Sequence, residues 1–270
     1  TYKEIGFTTD HVEAINNRAS VVNGLPTVIH LSEDQSCNLR CPSCRVGKIM
    51  HGVGSPAYNL AKKINDRVYD AFFSQPTDRE FQLNVTGSGD PFASKIYREF
   101  LRRIDGQMYP NLAINLMTNG VMFTPKMWDS LSHIHNQLGR CRISFDAATK
   151  YTYENITRLG GNWELLIDNT AFLNERSKEF EKFNLNLDFV VQDDNMHEMV
   201  EFAEMCLDRY DNVFSIQFNK VHDWDTWSRE DYLQKAVWMP EHPNYAQLKQ
   251  ILDNPIFKHP RVRIGNLTSI

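Results

Sequence analysis

The sequence has no long apolar segment and no excess of positive charge. None of its hydrophobic runs approaches the roughly 20 residues that cross a bilayer, and 29 Lys and Arg are outnumbered by 34 Asp and Glu, for a net charge of −5. Residues 1–17 are polar and of mixed charge, which excludes a signal peptide there. We therefore expect a cytoplasmic protein, with no membrane association and no nucleic-acid partner.

Cysteine is scarce and unevenly placed. Of the five cysteines, Cys37, Cys41 and Cys44 lie within eight residues, and the other two, Cys141 and Cys206, stand alone. An odd number with such clustering is a poor disulfide framework. In a cytosolic chain, clustered cysteines indicate a metal-binding or catalytic site.

Short apolar runs alternate with longer amphipathic segments along most of the chain. The runs predict six strands, at residues 27–31, 81–85, 112–117, 142–145, 185–191 and 213–218, and a short final strand at 262–264. Strands separated by helices are parallel with right-handed crossovers. We predict an α/β fold, a partial (β/α)6 TIM-like barrel with its helices outside. Residues 1–26 would form a helical lead-in, 27–218 the barrel, and 219–270 a substrate-side loop and tail.

Three helices have recognisable patterns. Residues Leu60, Ile64, Val68 and Phe72 recur every four positions and predict the buried face of one helix. Thr124-Pro125 predicts the start of a second helix, which would run to Gly139. Asn195 and Glu198 resemble a capping box that opens a third, so Asn195 is interpreted as structural.

The cysteine cluster has the spacing C-x3-C-x2-C and follows the first predicted strand. Thiolates are the soft ligands of iron–sulfur clusters. Three of them would leave one iron of a cubane open to a small molecule. The alternative is a structural zinc site, for which His51 could supply the fourth ligand.

Further polar motifs follow later strands, where the active site of a parallel barrel forms. The second strand is followed by Thr86-Gly87-Ser88-Gly89-Asp90-Pro91, and the third by Thr118-Asn119-Gly120. The motif residues after the fourth and fifth strands are Ser144, Asp146, Arg158 and Gln192.

Together these motifs resemble the radical S-adenosylmethionine (SAM) superfamily. The string Cys37-Asn-Leu-Arg-Cys41-Pro-Ser-Cys44 and the stretch from Ser144 to Gly161 resemble the core domain of its SPASM and twitch members. Those members carry further cysteines for auxiliary clusters, whereas none follows Cys206 here. The resemblance therefore implies one cluster only.

The resemblance implies a cofactor set and a reaction. One oxygen-sensitive [4Fe–4S] cluster on Cys37, Cys41 and Cys44 would bind SAM and cleave it reductively to a 5′-deoxyadenosyl radical, which abstracts hydrogen from a substrate carbon. An electron donor such as flavodoxin or ferredoxin is also implied. The implied SAM-binding residues are Ser88, Gly89, Asp90, Thr118, Asn119, Ser144, Asp146, Arg158 and Gln192.

The substrate is less well indicated. The resemblance favours a peptide or a sugar-type small molecule. His222 and Asp223, after the sixth predicted strand, are candidates for catalytic residues. A second hypothesis is a non-catalytic zinc or iron–sulfur protein that senses redox state with the same cysteines.

Overall fold

A single parallel sheet organises the chain. The computed structural model describes residues 9–20, 25–85 and 87–269. Its seven strands lie side by side in chain order. They are β1 (Val28–Leu31), β2 (Phe81–Val85), β3 (Leu112–Thr118), β4 (Leu138–Ser144), β5 (Asn184–Val191), β6 (Ser215–Lys220) and β7 (Val262–Arg263). Each pairs in parallel with the next.

Helices connect the strands and cover one face of the sheet. They are α1 (Thr9–Asn16), α2 (Pro56–Phe72), α3 (Lys95–Arg103), α4 (Pro125–Asp129), α5 (Lys150–Thr152), α6 (Trp163–Ser177), α7 (Met199–Arg209), α8 (Arg229–Lys235) and α9 (Tyr245–Leu252). Short 3₁₀ segments lie at Gly106–Met108, Ser132–Gln137, Met196–Glu198, Pro255–Lys258 and Gly265–Ser269, and a π turn at Tyr153–Thr157. The predicted α/β fold is confirmed, and the short final strand is β7.

The strands bury one face against the helices and present the other to the open side of the sheet. On β4, Cys141 and Ile143 are fully buried, whereas their neighbours Arg140 and Arg142 are exposed or half-buried. This alternation is expected, because successive side chains of a strand point to opposite faces. The predicted fourth strand began at residue 142, which placed Cys141 before it. In the structure Cys141 is a core residue within β4.

The predicted helix from Pro125 to Gly139 is wrong. Thr124 caps α4 as expected, accepting a hydrogen bond from the Met127 amide, but α4 ends at Asp129. A 3₁₀ segment follows, and Gly139 belongs to β4. A Cβ at Gly139 would lie 2.8 Å from Asn115 Oδ1 on β3, so this glycine permits close strand pairing and does not end a helix.

The predicted buried face of α2 is wrong in its first two turns. Leu60 and Ile64 are 61% and 39% exposed, while Tyr58, Ala61 and Asn65 are buried. The buried face is thus rotated by about one residue, which a four-residue repeat alone does not reveal. None of the helices in the described ranges is long and apolar enough to cross a membrane.

Candidate functional site

The three clustered cysteines lie on the loop between β1 and α2, at the carboxyl edge of the sheet. The Cys37 amide donates to the Ile49 carbonyl at 2.9 Å, which joins the two ends of the loop. The amides of Cys44 and Arg45 both donate to the Cys41 carbonyl, at 3.0 and 3.1 Å. Cys41 and Cys44 are therefore held on a single tight turn. Cys37 and Cys41 are buried and Cys44 is exposed.

A buried carboxylate that the sequence did not single out organises this loop. Asp34 accepts hydrogen bonds from the Ser36 amide at 3.0 Å and from the Ser94 hydroxyl at 2.5 Å. Its backbone amide donates to Tyr97 Oη at 2.9 Å. His51 Nδ1 lies 3.1 Å from the same carboxylate. His51, the suggested fourth zinc ligand, thus has one ring nitrogen occupied by Asp34.

The glycine-rich turn after β2 packs directly on the cysteine loop. Thr86 lies outside the described residues. Gly89 has φ +81, and a Cβ there would lie 2.5 Å from the Ser36 carbonyl and 2.6 Å from the Asp34 carbonyl. The Asp90 amide donates to the Ser36 carbonyl at 2.9 Å. A side chain at position 89 would therefore separate the two loops.

Asp90 connects this turn to the motif after β3. Its Oδ1 accepts hydrogen bonds from the amides of Phe92 and Ala93 at 2.9 and 3.2 Å. The other oxygen accepts from Thr118 Oγ1 and from the Asn119 amide, both at 2.8 Å. Burial raises the pKa of Asp90, and these four donors oppose that rise. All four hydrogen bonds are internal, so Asp90 positions Thr118 and Asn119.

Asn119 in turn reaches the cysteine loop. Its side-chain nitrogen donates to Asn38 Oδ1 at 2.9 Å and to Cys37 Sγ at 3.7 Å. The Leu39 amide donates to the same sulfur at 3.4 Å. The motif after β3 is therefore in contact with the first cysteine, as its position on the sheet edge predicts.

Arg158 contacts the second cysteine and a buried carboxylate. Its Nη1 donates to Cys41 Sγ at 3.5 Å, and its Nη2 lies 2.5 Å from Asp146 Oδ2. The side chains of Arg158 and Asp146 are 13% and 5% exposed. Burial raises the pKa of Asp146, and the Arg158 charge opposes that rise. The arginine predicted to hold SAM thus packs against a cysteine sulfur.

The third cysteine is contacted by the residue that follows it. Arg45 Nη2 donates to Cys44 Sγ at 3.6 Å, while its Nη1 donates to the Gln35 carbonyl at 2.9 Å. Sequence reasoning missed this residue, although its position next to Cys44 was a usable signal. Each of the three sulfurs therefore receives one hydrogen bond from a side chain of the surrounding loops.

Burial also affects the thiols themselves. It raises the pKa of Cys37 to about 11 and raises the pKa of Cys41 as well. Both thiols are therefore protonated at neutral pH, and metal binding has to displace those protons. No group of three or more His, Cys, Asp or Glu side chains in the described part of the chain is arranged to hold a metal ion. Cluster ligation by these cysteines stays a prediction.

Asn195 is structural, but it does not act as the predicted cap. Its Oδ1 accepts from the Gln192 amide, and its Nδ2 donates to the carbonyls of Asp146 and Val190, all at 2.9 Å. It makes no side-chain hydrogen bond at the start of its own helix. Asn195 instead joins the loop after β5 to the loop after β4. Asp146 Oδ1 reinforces that junction by accepting from the Val190 amide at 2.7 Å.

Glu198, the other half of the predicted capping box, also acts on the loop after β4. Its buried carboxylate accepts from the Ala148 amide at 2.6 Å and from the Thr149 amide at 3.2 Å. The hydroxyls of Thr149 and Thr152 donate to its second oxygen at 2.7 and 2.5 Å. Glu198 therefore fixes the start of α5, whose N-cap is Thr149, through a contact across 50 residues that sequence spacing does not reveal.

Several predicted site residues retain unused polar groups. Ser88 and Ser144 are half-buried and Gln192 is buried, and their side chains form no hydrogen bond with the described residues. His222 and Asp223 lie exposed on the loop after β6. Among the described residues, Asp223 accepts only from the Asp225 amide, at 3.0 Å, within its own loop. The structure does not bring these two candidates to the cysteine loop by any described contact.

No family model and no curated protein matches the sequence. Among solved structures, the radical SAM methyltransferase TsrM from Kitasatospora setae is similar in fold, with a TM-score of 0.50 at 12% identity. The match covers 75% of this chain and 39% of that one, so the chain spans about two fifths of TsrM.

Two further solved structures resemble the chain less closely. Spore photoproduct lyase matches with a TM-score of 0.49 at 9% identity, over 88% of this chain and 75% of its own. A radical SAM methyltransferase from Sphaerobacter thermophilus matches at 0.42 and 14%, over 83% and 62%. The likeness to TsrM confirms that the chain has the fold seen in radical SAM enzymes.

Proposed function

We propose that the chain is a radical SAM enzyme with one [4Fe–4S] cluster held by Cys37, Cys41 and Cys44. The observation that carries the proposal is the convergence of separate motifs on the cysteine loop. Asn119, Arg158 and Arg45 each donate a hydrogen bond to a different cysteine sulfur. When bound, the cluster and SAM supply the one-electron chemistry that removes a hydrogen atom from carbon.

The donor set fits an iron–sulfur cluster better than structural zinc. Three soft thiol ligands on one loop match a cubane with one open iron, whereas structural zinc takes four protein ligands. Donors to the sulfurs stabilise bound thiolates, and two of the three side-chain donors here are cationic. These observations favour iron–sulfur ligation.

We assign the predicted SAM-binding residues to two groups. Ser88, Ser144, Gln192 and the backbone of Gly89 are proposed to contact SAM, since their polar groups form no hydrogen bond within the described ranges of the chain. A second group is proposed to hold the surrounding loops in place through its internal hydrogen bonds, and it consists of Asp90, Thr118, Asn119, Asp146 and Arg158. In this proposal the first group would contact SAM directly, and the second group would keep the surrounding loops in place.

The other parts of the proposal rest on the family resemblance. The substrate is proposed to be a peptide or a sugar-type small molecule bound at the carboxyl edge of the sheet. An electron donor such as flavodoxin or ferredoxin would reduce the cluster, and the protein would act in the cytoplasm. Residues 27–218 would form the catalytic core, with 219–270 on the substrate side.

The test is anaerobic reconstitution with iron and sulfide, followed by dithionite and SAM. We expect about four irons per chain and formation of 5′-deoxyadenosine. Replacing Cys37, Cys41 or Cys44 singly by Ser should abolish both. Cys206→Ala is the matched control, because this cysteine is buried on α7 among core residues. Turnover that persists in all three Ser variants, or zinc binding without iron uptake, would contradict the proposal.

A further inference from the structure

The open face of the sheet has a different charge from the rest of the chain. The whole sequence carries a net charge of −5. On the open face of the seven described strands, the charged side chains are three arginines and one carboxylate. They are Arg140 and Arg142 on β4, Asp188 on β5 and Arg263 on β7. The face is therefore locally positive in an acidic protein.

The remaining side chains of this face are mostly uncharged and polar. They include His30, Gln82, Asn84, Asn115, Ser144, Asn184, Asn186, Ser215, Gln217 and Asn219. Several pair with one another; the Ser215 hydroxyl, for example, donates to Asn186 Oδ1 at 2.7 Å. A polar lining of this kind suits a hydrophilic ligand.

Arg142 is the arginine at the centre of this face. Its Nη2 lies 2.6 Å from Asp188 Oδ2. Its Nε and the second oxygen of Asp188 are both buried and have no partner in the described structure. The side chain of Arg142 is 27% exposed, against 6% for Asp188. One ion-pair contact therefore holds the guanidinium, whose remaining donors have no partner among the described residues and whose side chain is only partly buried.

Arg–carboxylate pairs are frequently bidentate, with two parallel N–H···O contacts. Here only one nitrogen of Arg142 meets one oxygen of Asp188. Burial raises the pKa of Asp188, and the charge of Arg142 opposes that rise. Asp188 thus orients the arginine without occupying all of its donors.

The ion pair of Arg142 and Asp188 lies next to the candidate cluster site. The Asp188 carbonyl accepts from the Phe145 amide at 2.9 Å. The residue after Phe145 is Asp146, which pairs with Arg158. Arg158 contacts Cys41. A ligand held by Arg142 would therefore lie beside the site where SAM is proposed to bind.

We propose that Arg142 binds an anionic group of the substrate, a carboxylate or a phosphate, on the open face of the sheet. The inference rests on the proposed function in taking the ligand to be the substrate of that enzyme. A guanidinium matches either oxyanion in a fork geometry. Arg140 and Arg263 have exposed side chains with no partner among the described residues, and they add positive potential to the face.

The test measures binding of inorganic phosphate and of acetate by calorimetry. The reconstituted protein is titrated with and without saturating SAM, because the carboxylate of SAM could compete. Arg142→Gln should weaken binding of the preferred ion about tenfold or more. Arg102→Gln is the matched control, since this arginine lies exposed on α3 and, in the part of the chain that the structure describes, bonds only Ser130, and it should leave binding unchanged.

If circular dichroism shows that Arg142→Gln does not fold, Arg142→Lys is titrated with the same ions in its place. Lys keeps the charge but loses the fork, so it should bind the ion more weakly than wild type. Stronger binding of phosphate would identify a phosphate ester, and stronger binding of acetate a carboxylate. No binding of either ion to wild type, or equal binding by wild type and the folded Arg142 variants, would overturn the proposal.

The outcomes separate this inference from the proposed function. If ion binding depends on Arg142 but the protein forms no cluster and no 5′-deoxyadenosine, the proposed radical SAM function is wrong, whereas the anion site at Arg142 is supported. If the protein cleaves SAM but binds neither ion, the proposed anion site is wrong, whereas the proposed radical SAM function is supported.

Discussion

Replacing Arg158 by Met would remove the cation that neutralises Asp146 in the interior. The two side chains are 13% and 5% exposed and are joined at 2.5 Å. Without Arg158, Asp146 would keep one described donor to its carboxylate, the Val190 amide at 2.7 Å. A buried carboxylate that loses its partner is strongly destabilised, because desolvation is no longer compensated.

We expect Arg158→Met to lower the free energy of unfolding by about 3–5 kcal/mol. Adding Asp146→Asn should restore at least about 1 kcal/mol, because the amide removes the unpaired charge. Asn also suits the backbone of Asp146, whose φ is +60, since Asn tolerates this left-handed region well. The double variant, Arg158→Met with Asp146→Asn, should therefore be more stable than Arg158→Met alone.

The pH dependence provides a second measure of the same effect. Burial already raises the pKa of Asp146 in the folded protein, and loss of Arg158 should raise it further. A folded state that binds the proton more tightly than the unfolded state gains stability as pH falls. Arg158→Met should therefore recover stability relative to wild type when the pH is lowered from about 7 to about 5, towards the pKa of about 3.9 of an unfolded Asp.

The assay is urea unfolding of the metal-free, reduced protein, followed by circular dichroism at both pH values. If Arg158→Met lowers the free energy of unfolding by less than about 1 kcal/mol, Arg158 and Asp146 behave as an exposed ion pair. A double variant no more stable than Arg158→Met would show that the charge of Asp146 is not the cause. Either result would refute the reasoning.

Two further predictions concern residues that hold the site loops together. Gly89→Ala should reduce iron uptake and stability, because its Cβ would lie 2.5 Å from the Ser36 carbonyl at a φ of +81. Gly52→Ala, with no atom within 4 Å of the new Cβ, is the control, and equal iron content in the two variants would contradict the prediction. Glu198→Gln should cost about 1–3 kcal/mol in urea unfolding, because the amide nitrogen cannot accept the hydrogen bonds that the carboxylate receives. Glu201→Gln, at an exposed position of α7, should be neutral, and a similarly small change in Glu198→Gln would count against its role in holding the start of α5.

The order and type of the elements were largely predictable from local pattern. Apolar runs of period two mark β2, β3 and β5 to within one residue at each end, because side-chain alternation is a property of the strand itself. The motifs that follow the strands meet at one edge, since parallel strands bring their carboxyl ends together. Sequence alone thus predicted the fold and the neighbourhood of the cysteine loop.

Only the tertiary structure decided which partner each polar group takes. The contact between Arg158 and Cys41 joins residues 117 positions apart, and no local spacing specifies it. The same holds for Glu198 and for the orientation of α2, whose buried face depends on what packs beside it. The positive open face also arises only when β4, β5 and β7 are aligned in register. Local backbone preference determines the elements, whereas partners depend on register and packing between distant segments.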